Sequence, residues 1–405
     1  MRPALWSVAI QAAGSASTLG AALLVASSLG MAAQGEFGLL RSWSDALGTL
    51  AVIGLPQGLL HMQYREGVSV AKLRPWVWRY LVGLCAALIV AFCLIKLLLP
   101  VASIPNWLES PQTFWLLGLT VMFGASHLLW RSLALRDVGL LPYAALTAAP
   151  SLIVLVALVV VCALGKSSGL MWALLAGAST SAIASGWMVQ RLEADAEVNS
   201  AWSRRVLWSV SSQTGVQNIF TALTPPAVLS TAAYFGASLA QVGQLSLGLH
   251  VYQVFGIAAT YMAPMVYDKA ARSADALSAG QLLNWMRERL TLRAVLAFAL
   301  AVVAAMVLLR NLWPAGADSL VLVAAMASAG ALSMAVRLMV TLLQARGAYR
   351  SLSWHALGRL LLSVGGSAAF MQTWPAALAV PVALLVTEVI LLAWAWALIQ
   401  IQVAA

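Results

Sequence analysis

Charge is what this chain lacks. Of its 405 residues, Lys, Arg, Asp and Glu together make up 9%, against 62% hydrophobic residues. A soluble surface needs far more charge than that, so a water-soluble globular domain is excluded. Cysteine is scarce too. Cys85, Cys93 and Cys162 all fall in apolar runs without CxxC spacing, which excludes a disulfide scaffold or a thiolate metal site and reads as small buried hydrophobes. No phosphate-binding glycine loop, HExxH or paired Cys/His set appears, so neither enzyme chemistry nor a cofactor is implied. The polar connections are short, which leaves no room in the chain for an ATPase domain. Energy for any transport must come from H⁺ or Na⁺, the membrane potential or the substrate gradient. No ten-residue apolar/polar alternation marks a membrane β-barrel.

What is present is a series of apolar runs, each about 20 residues long and able to cross a bilayer as helix. The pattern predicts an all-α polytopic membrane protein of 12 transmembrane helices, over residues 4–29, 37–62, 77–99, 112–135, 142–164, 168–190, 207–232, 239–266, 290–311, 317–344, 352–374 and 376–400. Arg2 alone precedes the first run, which is too long for a signal-peptide core and is expected to stay as a helix. The net charge of +10 comes from basic residues scattered between runs, a topology signal rather than a nucleic-acid patch. With the N-terminus inside, sixteen cations lie in inside segments: Arg2, Arg65, Lys72, Arg74, Arg79, Arg136, Arg191, Arg204, Arg205, Lys269, Arg272, Arg287, Arg289, Arg293, Arg346 and Arg350. Three lie outside: Lys96, Lys166 and Arg310. Both termini are therefore expected in the cytoplasm.

The two halves repeat. Ser7, Gln11, Ser15 and Thr18 on the first helix correspond, 206 residues on, to Gln213, Gln217, Thr221 and Thr224 on the seventh. Spacings of four, four and three put each set on one helical face. Arg131 maps to Arg337 at the same offset, and Asp45 to His250 at 205. Two six-helix lobes, residues 1–200 and 201–405, form a parallel repeat about an axis along the membrane normal. Transporters built this way bind substrate between their halves and alternate access by rocking them.

Charges inside the spans cost at least about 2.5–3.5 kcal/mol each, so they face the protein interior and carry roles. Arg41 and Asp45 are one turn apart on the second helix and can pair, although Arg41 is also placed to snorkel. Glu388, deep in the twelfth helix, either pairs with a cation from another helix or stays protonated as a proton relay. Arg337 and Arg359 lie about two turns inside their helices; Arg131 sits nearer an end and reads as snorkelling. His250 reads as a packing histidine or a coupling group. The polar stripes suit helix–helix hydrogen bonding or a hydrated cavity for sugar hydroxyls. Pro56, Pro225, Pro226 and Pro264 are expected to bend helices two, seven and eight.

The segment "LGMAAQGEFGLLRSWSDALGTLAVIGLPQGLLHMQYREG" carries Leu29-Gly30, Glu36-Phe37-Gly38, Gly54-Leu55-Pro56 and then Arg65. It resembles the first helix pair of Wzx-type O-antigen/polysaccharide flippases of the multidrug/oligosaccharidyl-lipid/polysaccharide (MOP) exporter superfamily. "VGQLSLGLHVYQVFGIAATYMAPMVYDKAARS" and "LLQARGAYRSLSWHALGRLLL" resemble the matching eighth helix and the tenth-to-eleventh connection. The resemblance implies flipping of an undecaprenyl-diphosphate-linked oligosaccharide from the inner to the outer leaflet of the bacterial cytoplasmic membrane, to supply O-antigen or a related polysaccharide and its polymerase and chain-length machinery. It also implies that arginines hold the diphosphate. This chain departs from a cation-rich seventh helix, which has no Lys or Arg beyond its cytoplasmic start. The expected substrate contacts are Arg41, Arg337, Arg359, Gln11, Ser15, Gln213, Gln217 and Thr221, and the expected coupling or pairing groups are Asp45, Glu388 and His250. The competing reading is an ion-coupled drug/cation antiporter of the same superfamily, which needs acidic rather than basic cavity groups.

Overall fold

The computed structural model describes residues 2–98, 111–192, 202–272, 318–345 and 348–404. The expected ninth helix, residues 290–311, lies outside the described residues. Within them the chain is all-helical: α1 (Arg2–Leu29), α2 (Met31–Val52), α3 (Leu55–Tyr64), α4 (Val70–Leu98), α5 (Pro111–Val138), α6 (Leu140–Ala163), α7 (Leu170–Gln190), α8 (Arg204–Tyr234), α9 (Leu239–Arg272), α10 (Asp318–Ala345), α11 (Tyr349–Met371) and α12 (Ala376–Ala404). Helix is forced by the solvent: a bilayer core offers backbone groups no partner but their own chain. Seven helices, namely α1, α4, α5, α6, α7, α10 and α12, are long and apolar enough to cross a membrane. Among the described residues, α2, α3, α8, α9 and α11 fall outside that set. They carry the Gln, Ser, Thr, His and Arg residues that interrupt an apolar stretch.

The expected second helix is two helices. α2 ends at Val52, and Ile53 (φ 42°) and Gly54 (φ 71°) turn the chain through left-handed backbone before α3. Pro56 opens α3 rather than bending a continuous helix. Pro225 and Pro226, by contrast, lie inside α8, which runs unbroken from Arg204 to Tyr234, and Pro264 lies inside the continuous α9.

Two compact units emerge from the contacts. The first comprises residues 1–24 and 39–222, the second residues 25–38 and 223–405. In the first, α3 is the core: Leu55, Leu59 and Met62 are buried with Leu73 and Val77 of α4, Leu129 and Leu133 of α5, and Leu207 of α8. α8 crosses the α2–α3 turn backbone to backbone. A Cβ on Gly215 would stand 2.7 Å from the Ile53 carbonyl oxygen, so only glycine fits there. In the second unit, residues 31–38 pack as closely on α9 through Gly35 and Gly243, and Gln34 Nε2 donates to Ser246 Oγ (3.3 Å).

The packing order is the same in both units. In the first, α5 packs on α3 and α7, and α7 on α6; in the second, α10 packs on α9 and α12, and α12 on α11. These pairs correspond under the 206-residue offset read from the sequence. Of the cysteines, Cys93 is exposed and Cys85 and Cys162 half-buried, so all three fall short of the buried packing expected of them.

Candidate functional site

In the first unit the polar residues form a chain across three helices. Arg41 Nη2 donates to Thr18 Oγ1 (3.1 Å), and Thr18 Oγ1 meets Ser151 Oγ (3.0 Å). α1 and α6 can bring these hydroxyls together because Gly14 lets the helices close: a Cβ there would stand 2.8 Å from Ala148 Cβ. Arg41 is largely covered, at 15% exposure, whereas the Asp45 side chain is 77% uncovered. Their closest approach, 4.0 Å from Arg41 Nε to Asp45 Oδ2, is at the limit of an ion pair. Asp45 thus presents a carboxylate away from protein. Thr18, from the α1 stripe, is the better-made contact of Arg41.

The rest of the stripe is less committed. Ser15 Oγ donates to the Gln11 carbonyl oxygen (3.0 Å), and Thr221 Oγ1 to that of Gln217 (2.9 Å). Gln11, Gln217 and Thr221 are half-buried and Gln213 is exposed. Ser7 and Thr224, at the far ends of the two stripes, are buried. Arg131 lies over the Tyr143 ring, with its Cζ 5.6 Å from the centroid, a cation–π contact that accounts for its place near a helix end.

The second unit holds a denser cluster. Glu388 of α12, 1% exposed, receives Arg359 Nη2 of α11 at Oε2 (2.9 Å) and the Tyr252 hydroxyl of α9 at Oε1. Tyr252 also meets Ser333 Oγ of α10 (3.0 Å). Arg337, one turn beyond Ser333, interacts electrostatically with Tyr252, Arg359 and Glu388. Its guanidinium lies against α9 where Gly256 has no side chain, since a Cβ there would stand 2.6 Å from Arg337 Cζ. Four helices therefore converge on one carboxylate, which pairs with Arg359 and lies in the field of Arg337.

Glu388 is paired with Arg359 in this structure. That leaves Arg359 matched and the cluster with a net positive charge from Arg337. His250 places its Nδ1 2.7 Å from the Ser246 carbonyl oxygen in its own helix. His355, one turn before Arg359, places Nε2 3.2 Å from the Leu391 carbonyl oxygen and its ring beside Trp394. Among the described residues no group of His, Cys, Asp and Glu could hold a metal ion.

Sequence reasoning missed Tyr252 and Ser333. Both were visible as spacing: Ser333 is four residues before Arg337, and Tyr252 is four before Gly256, whose missing side chain makes the seat for Arg337. It also passed over His127, which corresponds to Ser333 at the 206-residue offset. His127 is buried between α5 and α7, with Nδ1 3.1 Å from the Ser181 carbonyl oxygen and 3.3 Å from Ser185 Oγ.

No protein-family model matches the chain, and no curated protein matches it in sequence. Solved structures do match. A multidrug resistance MATE family transporter of the MOP superfamily, in its inward-facing conformation, superposes with TM-score 0.67 at 14% identity, covering 98% of this chain and 98% of that one. An outward-facing structure described in the same terms also gives 0.67, at 12% identity and with 100% and 95% covered. A mutant of a Vibrio cholerae MATE transporter gives 0.64 at 18% identity, with 100% and 97% covered. At these identities the likeness is one of fold. The chain is an all-helical, multi-pass membrane protein whose structural neighbours are MATE transporters of the MOP superfamily, which are not enzymes.

Proposed function

We propose that this protein flips an undecaprenyl-diphosphate-linked oligosaccharide from the inner to the outer leaflet of a bacterial cytoplasmic membrane, for O-antigen or a related surface polysaccharide. It does so by alternating access of two homologous lobes, residues 1–200 and 201–405, with both termini cytoplasmic. The observation that carries this reading is the charge of the second unit's core, where among the described residues Arg359, paired with Glu388, and Arg337 are set against that one carboxylate. Uncompensated guanidinium charge inside a membrane protein suits an anion, and Arg binds phosphate oxygens bidentately. Arg41, held by Thr18, adds a second cation in the first unit. Gln11, Ser15, Gln213, Gln217 and Thr221 supply amides and hydroxyls of the kind that bind sugar hydroxyls. The resemblance of residues 29–65 to polysaccharide flippases points the same way.

One observation favours a second reading, an ion-coupled drug/cation antiporter. The uncovered carboxylate of Asp45 could meet a cationic substrate, and the structural neighbours are named as multidrug resistance transporters. Gene deletion separates the two. Loss of surface polysaccharide with undecaprenyl-linked repeat units trapped on the cytoplasmic face is expected, restored by the wild type and not by Arg41→Ala. Intact polysaccharide with altered sensitivity to cationic drugs, rescued by the wild type and not by Asp45→Asn, would establish the antiporter instead.

A further inference from the structure

We infer that the Arg359–Glu388 pair is a proton-operated latch on a phosphate site, in which a proton on Glu388 and a phosphate oxygen on Arg359 and Arg337 bind together. This rests on the anionic substrate proposed above and adds how its binding is coupled to protons.

Three observations converge on it. The first is charge. Two guanidiniums and one carboxylate leave the cluster with one positive charge while the latch is closed and two when Glu388 is protonated. The second state matches a diphosphate better than the first. The second observation is donor supply. The Nε–H groups of Arg337 and Arg359 are both buried and meet no hydrogen-bond acceptor, and Arg359 as a residue is only 7% exposed. A buried guanidinium donor left unmade is costly, and a phosphate oxygen would satisfy it.

The third is the hydroxyl relay. With Glu388 ionised, Ser333 Oγ–H donates to Tyr252 Oη, and Tyr252 O–H donates to Glu388 Oε1. With Glu388 protonated at Oε1, its own O–H donates to Tyr252 Oη, and Tyr252 O–H donates to Ser333 Oγ. The heavy-atom positions serve both states, because the Tyr252–Ser333 contact works with either atom as donor. Only the hydroxyl hydrogens rotate. A carboxylate held by arginine alone would lose its partner on protonation; this one keeps its bond to Tyr252. The released Arg359 Nη2–H then turns from Glu388 Oε2 to a phosphate oxygen. No covalent bond forms or breaks beyond the transferred proton.

The groups facing Glu388 are Tyr252 from α9, Ser333 and Arg337 from α10, and Arg359 from α11, with His355 one turn away on α11 against the Leu391 carbonyl. Glu388 is the acidic member of that set. His355 adds an imidazole to that set, and His355→Asn serves as its control.

The test uses the full-length protein in nanodiscs and isothermal titration with inorganic diphosphate and with a short-chain polyprenyl diphosphate. Each titration is run in buffers of differing ionisation enthalpy, which counts protons. The wild type is expected to take up about one proton per diphosphate and to bind more weakly as pH rises, by up to about tenfold per pH unit. Glu388→Gln should bind with no proton uptake and no pH dependence, Arg337→Ala should bind at least about tenfold more weakly, and His355→Asn should keep the proton. Proton-linked binding of the polyprenyl compound alone identifies the lipid head group as the source. Proton-linked binding of both identifies phosphate chemistry itself, and either result supports the latch. Diphosphate binding without proton uptake, or uptake that survives in Glu388→Gln, overturns the latch and leaves diphosphate recognition standing. Absence of binding by either compound overturns both. Should Glu388→Gln not fold, the wild-type proton count decides alone.

Discussion

Removing Glu388 should destabilise the protein more than removing Arg359, and removing both should cost less than either. Glu388 is 1% exposed and accepts from Arg359 and Tyr252. Glu388→Met leaves two buried guanidiniums without a carboxylate; Arg359→Met leaves a carboxylate that still receives Tyr252 and lies within the field of Arg337. Breaking a buried pair by deleting one partner costs about 3–5 kcal/mol, and replacing the pair by apolar residues of similar volume is often neutral. The expected losses are thus about 4–5 kcal/mol for Glu388→Met, about 3 for Arg359→Met, and about 1 for the double Glu388→Met/Arg359→Met. The coupling energy of the cycle should exceed about 2 kcal/mol. Unfolding followed by SDS titration in mixed micelles, with intrinsic Trp fluorescence as readout, measures all three. Single losses that add to within about 0.5 kcal/mol in the double variant would show that the two charges do not hold each other, and the account of the cluster would fail.

Other expectations follow from single contacts. Gly256→Ala should cost under about 1 kcal/mol, because the atoms it meets are the far end of the flexible Arg337 side chain, yet it should depress export by displacing that guanidinium. Gly215→Ala should cost several-fold more in the same unfolding assay, because its Cβ would meet the Ile53 backbone carbonyl at 2.7 Å. Thr18→Val should lower export partially by freeing Arg41 to swing, whereas Arg41→Ala should abolish it with normal amounts of folded protein in the membrane. Equal export by Arg41→Ala and wild type, scored by surface polysaccharide staining, would remove Arg41 from the site.

Apolar runs of bilayer length made the helices legible, because nothing else satisfies a backbone in lipid. The break at Ile53–Gly54 was less so. Pro56 drew attention to its own position, but the chain turns just ahead of it, where Gly54 takes a left-handed conformation that most residues avoid. The Glu388 pairing was legible in kind and not in partner. An isolated buried carboxylate demands a cation, yet Arg337 and Arg359 were both eligible until packing joined α11 to α12. Tyr252 escaped notice because it carries no charge to mark it among apolar neighbours; only the four-helix convergence shows its hydroxyl inside the core.

The repeat gives the sharpest view of how the two units have diverged. The packing order is preserved: α5 on α7 corresponds to α10 on α12, and α3 on α5 to α9 on α10. At the centre of the first arrangement, α5 contributes His127 and Arg131 and α7 contributes Ser181 and Ser185. At the centre of the second, α10 contributes Ser333 and Arg337 and α12 contributes Glu388. The arginine is kept at offset 206, while the histidine has a serine in its place and the serine-bearing helix has a carboxylate-bearing counterpart. One core is therefore held by hydrogen bonds to serine and backbone oxygens, and the other by an ion pair with a hydroxyl relay. Grafting tests this division of labour. Ala182, which corresponds to Glu388, is 5% exposed on α7. Ala182→Glu should place a carboxylate on the α7 face that packs on α5, within reach of Arg131. Near-wild-type stability in Ala182→Glu, against a loss of several kcal/mol in the double Ala182→Glu/Arg131→Ala, would show that the arginine retained in the first unit still offers the charge its counterpart uses. Equal loss in both variants would show that the two cores no longer share that geometry.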